Sequence, residues 1–115
     1  MITLYGIRQC DTCRKALKWF EARGEDVTFH DLRQDGLPRE ALERWLASAN
    51  ADRLVNRRST TWRGLGEAER GKADTQPLEL LEGHPTLVKR PVVERDGEVL
   101  AVGFDAKALG KVLDA

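Results

Sequence analysis

The sequence predicts an α/β fold in which a mixed sheet is flanked by helices. Two β-forming runs, at 2–5 and 27–32, bracket an amphipathic stretch, a proline-opened helical pattern follows in the middle, and a hairpin signal with one further helical pattern ends the chain. A strand–helix–strand unit pairs its strands parallel and a hairpin pairs them antiparallel, so a sheet built from both is mixed.

Ile2 to Tyr5 is rich in β-formers and stops at Gly6, which hands the chain to a tight loop. From Asp11 to Arg23, Cys13, Ala16, Leu17 and Phe20 recur at three- and four-residue steps, while Arg14, Lys15, Lys18 and Glu21 take the opposite face. This is an amphipathic helix stopped by Gly24. Val27 to Leu32 returns to β character. Asp35-Gly36 turns the chain, and Pro38 suits the first position of a helix that aligns Ala41, Leu42, Trp45 and Leu46 on one face. Residues 51–72, polar and Arg-rich with scattered glycines, read as short helices and loops. Thr75-Gln76-Pro77 opens a helix through Leu78 and Leu81 that Gly83 closes. Val92-Val93-Glu94 and Glu98-Val99-Leu100-Ala101 flank Arg95-Asp96-Gly97, where the Asp-Gly pair signals a hairpin, and a last helix is expected over 105–113. The helical middle, about residues 36–84, reads as an insertion packed on the same core, within a single domain spanning 1–115.

A chain of 115 residues buries a core without disulfide staples, and 41% apolar with 33% charged residues is the mixture of a globular protein rather than a disordered one. The 19 basic and 19 acidic side chains cancel, so no global field draws the chain to nucleic acid or an anionic membrane. The N-terminal residues lack a basic region followed by a long apolar run, and no apolar run approaches bilayer-spanning length. These observations lead us to expect a cytoplasmic monomer with no nucleic-acid or membrane partner.

Two cysteines in such a chain point to thiol chemistry rather than a structural staple. Cys10-Asp11-Thr12-Cys13 lies where a loop enters a helix, a position that supplies free N–H groups and the positive end of the helix dipole, both of which stabilise a thiolate. Arg8 and Arg14 add positive charge and Asp11 opposes it, so Cys10 is expected to titrate below an ordinary cysteine. Cys13 falls on the same helical side at a separation a disulfide can bridge, and so could resolve a mixed disulfide. Two buried structural cysteines are the plainer alternative. Zinc would need about four ligands, and His30 and His84 have no suitable spacing, so no metal is expected. Arg57-Arg58 could hold an anion or the carboxylates of glutathione, or could merely solvate a helix face. His30 and Asp31 sit at a strand end, where a structural role outweighs proton transfer. Arg90-Pro91 precedes a strand, and an X-Pro bond there reads as an ordinary trans turn before an edge strand unless further evidence makes it cis.

Several segments together resemble the arsenate-reductase-like family that includes arsenate reductase, Spx and the YffB branch. They are Thr3-Leu4-Tyr5-Gly6-Ile7 before Cys10-Asp11-Thr12, Phe29-His30-Asp31, Asp35-Gly36-Leu37, Arg58-Ser59-Thr60-Thr61-Trp62-Arg63, Lys89-Arg90-Pro91 and Gly103-Phe104. The match covers nearly the whole chain and looks most like the YffB branch. The resemblance implies a thioredoxin-like fold with an inserted helical subdomain, a nucleophilic Cys10, and a cis peptide bond before Pro91, which reverses the trans reading. It also implies an oxidoreductase with no bound cofactor, a glutathione cosubstrate and possible coupling to glutaredoxin. The expected activity is glutathione-dependent reduction of thiol–disulfide substrates, with Arg58, Arg90 and Pro91 at the binding site.

Two alternatives follow from the same family. Its arsenate reductases hold the oxyanion with three arginines, of which only Arg90 matches cleanly. The first falls near Asn56, with Arg57 and Arg58 as displaced substitutes, and the third falls near Gly103. A histidine four residues ahead of the cysteine is Gly6 here. A multiply charged oxyanion needs several fixed donors, and these departures argue against arsenate. Spx proteins share the C-x-x-C and act as redox switches that bind RNA polymerase, which makes a redox-sensing regulator the other alternative.

Overall fold

The computed structural model describes residues 1–48 and 51–114. β1 (Ile2–Gly6) and β2 (Val27–Asp31) pair in parallel, with Leu4 opposite Phe29. On its other edge β1 pairs antiparallel with β3 (Val92–Arg95), and β3 pairs antiparallel with β4 (Glu98–Val102). The strand order is β2-β1-β3-β4, a mixed sheet as expected. Asp96 and Gly97 turn the β3–β4 hairpin with φ of 52° and 85°, the left-handed backbone that a tight hairpin turn requires and that these two residue types tolerate best.

Alternation along the strands sends side chains to two faces, and helices cover both. α1 (Asp11–Ala22) and α6 (Ala106–Leu113) close one face around Ile2, Leu4, Ala16, Phe20, Val93 and Leu109. α2 (Arg39–Ala47) and α5 (Pro77–Gly83) contribute Leu42, Trp45 and Leu81 to the other face, where they meet Ile7 and Val92. Each fully buried Leu, Val or Phe contributes about 1.5–3 kcal/mol relative to exposure, so the two stripes orient the helices more strongly than intrinsic propensity does.

The stretch after α2 is a run of short helices and loops, as expected. A 3₁₀ turn at Ala51–Arg53 precedes α3 (Thr60–Arg63) and α4 (Glu67–Thr75). Thr75 therefore ends α4 rather than opening α5, and Gln76 separates the two helices. Trp62, Leu65 and Ala73 pack on the core, so tertiary contact orders segments whose own pattern is weak. Elsewhere the boundaries shift by a residue: Pro38 and Asp105 are caps, and the Asp105 carboxylate accepts the Ala108 N–H at 3.1 Å. Among the described residues no helix is long and apolar enough to cross a membrane.

Two sets of contacts tie the helical middle to the sheet. Val55 bridges Val88, the Asn56 N–H donates to Leu87 O at 2.9 Å, and the Lys89 N–H donates to Leu54 O at 2.7 Å. Residues 54–56 are thereby fastened to 87–89, immediately before Arg90. Arg44 of α2 also donates from Nε and Nη2 to the buried Glu94 carboxylate of β3, each at 3.0 Å, and Trp45 Nε1 adds a third bond at 3.1 Å.

Candidate functional site

Cys10 is the N-cap of α1, with extended backbone at φ −84° and ψ 121°. Its N–H donates to Ile7 O and its carbonyl accepts from the Arg14 N–H, both at 3.0 Å, which turns the loop sharply into the helix. Behind the loop lies Asp31, whose buried carboxylate accepts N–H bonds from Arg8 at 3.1 Å, Arg33 at 2.8 Å and Gln34 at 3.0 Å. The Gln34 N–H is foremost among the donors that hold this carboxyl below the usual carboxylate range. Asp31 thus fixes the backbone two residues ahead of the thiol. His30 meets Gly36 O through Nε2 at 2.7 Å, a structural contact.

Cys13 is fully buried one helical turn on. Its sulfur occupies the space that a side chain at position 6 would take: a methyl group on Gly6 would lie 2.5 Å from Cys13 Sγ. Gly6 is thus required by close approach. Burial pushes the Cys13 thiol up to about 12, and the neighbouring Cys10 adds to the push, although the Ile7 backbone opposes it. Partial burial pushes Cys10 up as well. The Cys13 N–H and thiol, the Arg90 guanidinium and the Thr12 N–H outweigh that push, so Cys10 lies below its ordinary value. The pair therefore combines a thiolate-prone sulfur with a neutral one, and both cysteines are free.

The cation that bears on Cys10 is Arg90, not Arg8 or Arg14. Arg14 turns to Asp11 and to Gln9 O, each at 3.0 Å, and Arg8 lies over the Phe29 ring at 5.0 Å. Arg90 donates from Nη1 to Thr86 O at 3.1 Å, while its buried Nε has no protein partner. The Arg90-Pro91 bond is cis, and the buried Pro91 accepts the Gly103 N–H at 2.7 Å. The structure thus brings Cys10, Cys13 and Arg90 together, with Pro91 next in the chain. Arg58 stands in a neighbouring groove: its side chain is exposed, and its N–H donates to Asn56 Oδ1 at 3.1 Å. Arg53 and Lys89 line that groove too; Lys89 stood in the Lys89-Arg90-Pro91 segment without a role assigned to it, and no motif in the sequence had marked Arg53. Among the described residues no group of three or more His, Cys, Asp or Glu side chains is placed to hold a metal ion.

Comparison with known proteins bears on the family and the fold. A curated but uncharacterized protein of Haemophilus influenzae is 45% identical over 93% of this chain and 94% of its own length. A solved structure of a YffB protein is 37% identical, with a TM-score of 0.89 over 98% of this chain and 99% of that one. The global transcriptional regulator Spx of Streptococcus pneumoniae is 28% identical over 91% of this chain and 80% of its own. The mixed sheet and its helices are the thioredoxin-like fold that the sequence resemblance implied. The ArsC family model matches residues 5–112, and the chain belongs to the ArsC family.

Proposed function

We propose that the protein is a glutathione-dependent thiol–disulfide reductase acting in the cytoplasm, with Cys10 as nucleophile and Cys13 as resolving thiol. One observation carries this reading: an activated Cys10 at a helix N-terminus lies beside a fully buried, neutral Cys13. The Cys10 thiolate attacks the glutathione sulfur of a mixed disulfide, forming a Cys10–glutathione disulfide and releasing the substrate thiolate, which takes a proton from water. A second glutathione thiolate then attacks that sulfur, giving glutathione disulfide and restoring the Cys10 thiolate. Alternatively Cys13 attacks Cys10, glutathione leaves, and two further glutathiones reduce the internal disulfide. The Cys10 thiolate is one of the influences that raise the Cys13 thiol, and it vanishes once Cys10 is in a disulfide, so Cys13 becomes easier to ionise when it is needed. Arg90 and Arg58 hold the anionic partner, and no metal or organic cofactor takes part.

The test is glutathione-dependent reduction of a glutathionylated peptide, with arsenate as a parallel substrate coupled to glutaredoxin. We expect Cys10→Ser to abolish turnover and Cys13→Ser to retain part of it. Equal rates in the two variants would sink the assignment, and Cys10-dependent turnover of arsenate alone would replace it with arsenate reduction. The likeness to Spx and the paired cysteines favour a second reading, a redox-sensing regulator. It predicts no turnover and an RNA polymerase affinity that changes when Cys10 and Cys13 become a disulfide.

A further inference from the structure

An open groove of about 360 Å³ lies beside the segment that leads into Arg90. It is lined by Arg53, Val55, Asn56, Arg57, Arg58 and Lys89, and among the described residues no acidic side chain lines it. Arg57 is partly engaged, at 3.8 Å from Asp74 and 5.3 Å above the Trp62 ring. The hydrogen bonds between Lys89 and Leu54 and between Asn56 and Leu87 hold the two walls in register. Arg53 and Lys89 also converge on one point: a methyl group on Gly103 would meet Lys89 Cε at 3.0 Å and Arg53 Nη2 at 3.6 Å. Position 103 has no side chain, and the Lys89 stem and the Arg53 guanidinium, from other elements, pack into the space it leaves. Like charges gathered on a fixed frame repel, and an anion of more than one charge relieves that repulsion.

We propose that this groove binds phosphate groups, and specifically those of a phosphorylated thiol such as coenzyme A presented as a mixed disulfide. The proposal rests on the thiol–disulfide exchange reading and deepens it by naming the substrate class. Glutathione carries an ammonium beside its two carboxylates, and this lining offers cations and an amide but no carboxylate to meet it. A phosphate spreads two charges over several acceptor oxygens, the geometry that guanidinium forks and a lysine satisfy together. Lys89 adjoins Arg90 in the chain, and Arg90 bears on Cys10, so one wall of the groove is continuous in the chain with a side chain that reaches the thiol. The flexible arm of coenzyme A separates its phosphates from its sulfur. In this arrangement glutathione remains the reductant and the phosphorylated disulfide is what is reduced: the Cys10 thiolate takes the glutathione sulfur, and coenzyme A leaves as its thiolate.

The test has a binding arm and a turnover arm. Adenosine 3′,5′-bisphosphate, which has two of the three phosphates of coenzyme A and no thiol, is titrated calorimetrically into the full chain and into Arg53→Ala, Lys89→Ala and the double variant, with Gln replacements as a second set that keeps more of each stem. We expect wild type to bind, each substitution to weaken binding about five- to tenfold, and added salt to weaken it further. Absence of binding at millimolar ligand, or equal affinity in wild type and both double variants, overturns the proposal. Inorganic phosphate is titrated alongside, and an affinity equal to that of the bisphosphate assigns the groove to a free oxyanion and overturns the thiol assignment. In turnover, the coenzyme A–glutathione disulfide is expected to exceed the pantetheine–glutathione disulfide roughly tenfold in kcat/KM through KM, an advantage the double variant loses. Equal kcat/KM for the two substrates overturns the substrate class. Bisphosphate binding without turnover of any disulfide would remove the reductase reading and leave the phosphate site standing. Turnover of glutathionylated peptide without bisphosphate binding would do the reverse.

Discussion

Cys10 and Cys13 differ by three positions and by opposite directions of titration, and Gly6 is what lets them differ. With no side chain at position 6, the Cys13 sulfur sits in a dry space, where its neutral thiol supports the Cys10 thiolate. Cys10 lies below its ordinary value, so its reactive form persists at pH values under the pKa of an unperturbed cysteine, whereas Cys13 at about 12 stays protonated throughout the neutral range. Alkylation by iodoacetamide, followed by mass spectrometry from pH 5 to 10, is therefore expected to modify Cys10 with a midpoint under that value and to leave Cys13 unmodified. Gly6→Ala puts a methyl group 2.5 Å from Cys13 Sγ, which must move. We expect a loss of about 1–3 kcal/mol in urea unfolding and an upward shift of the Cys10 midpoint. An unchanged midpoint would show that the packing of Cys13 does not set the acidity of Cys10.

Among the helices, α2 depends on one polar contact as well as on its apolar stripe. Glu94 is 4% exposed and receives two bonds from Arg44 and one from Trp45, all contributed by α2. Arg44 is 40% exposed, so much of its own charge stays solvated and the Coulomb attraction is screened. Removing the carboxylate leaves the buried Trp45 N–H without an acceptor, the larger penalty. Glu94→Ala is expected to lower stability by about 2–4 kcal/mol, measured as a fall in the urea midpoint, while Arg44→Ala costs about half as much or less. A smaller loss for Glu94→Ala than for Arg44→Ala would show that the exposed ion pair, rather than the buried acceptor, anchors α2.

Across the whole molecule, net charge is zero and, among the described residues, nearly all large apolar side chains are buried or half-buried. Among the described residues only Met1 and Val112 stand out as exposed large hydrophobics, at 73% and 39%, too scattered to make a patch that would drive self-association. Sedimentation equilibrium is expected to return the 12.9 kDa of one chain across the micromolar range, and twice that mass would contradict it.

Much of this protein was decided by residues close together in the chain. The apolar steps through Cys13, Ala16 and Phe20, the Asp96-Gly97 turn and the spacing of Cys10 from Cys13 are local properties, so the sequence alone determined the α1 stripe, the hairpin and the thiol pair. The weakly patterned residues 51–75 were less legible, because α3 and α4 take their order from packing. Arg90 was visible through family resemblance, whereas local charge had pointed to Arg8 and Arg14. The Arg44–Glu94 contact spans 50 positions, and Arg53 and Lys89 meet at the bare Gly103 from two further segments. Only the tertiary structure could decide these, because charge at one point in space depends on which distant segments the core packs side by side, and periodicity along the chain carries no record of that pairing.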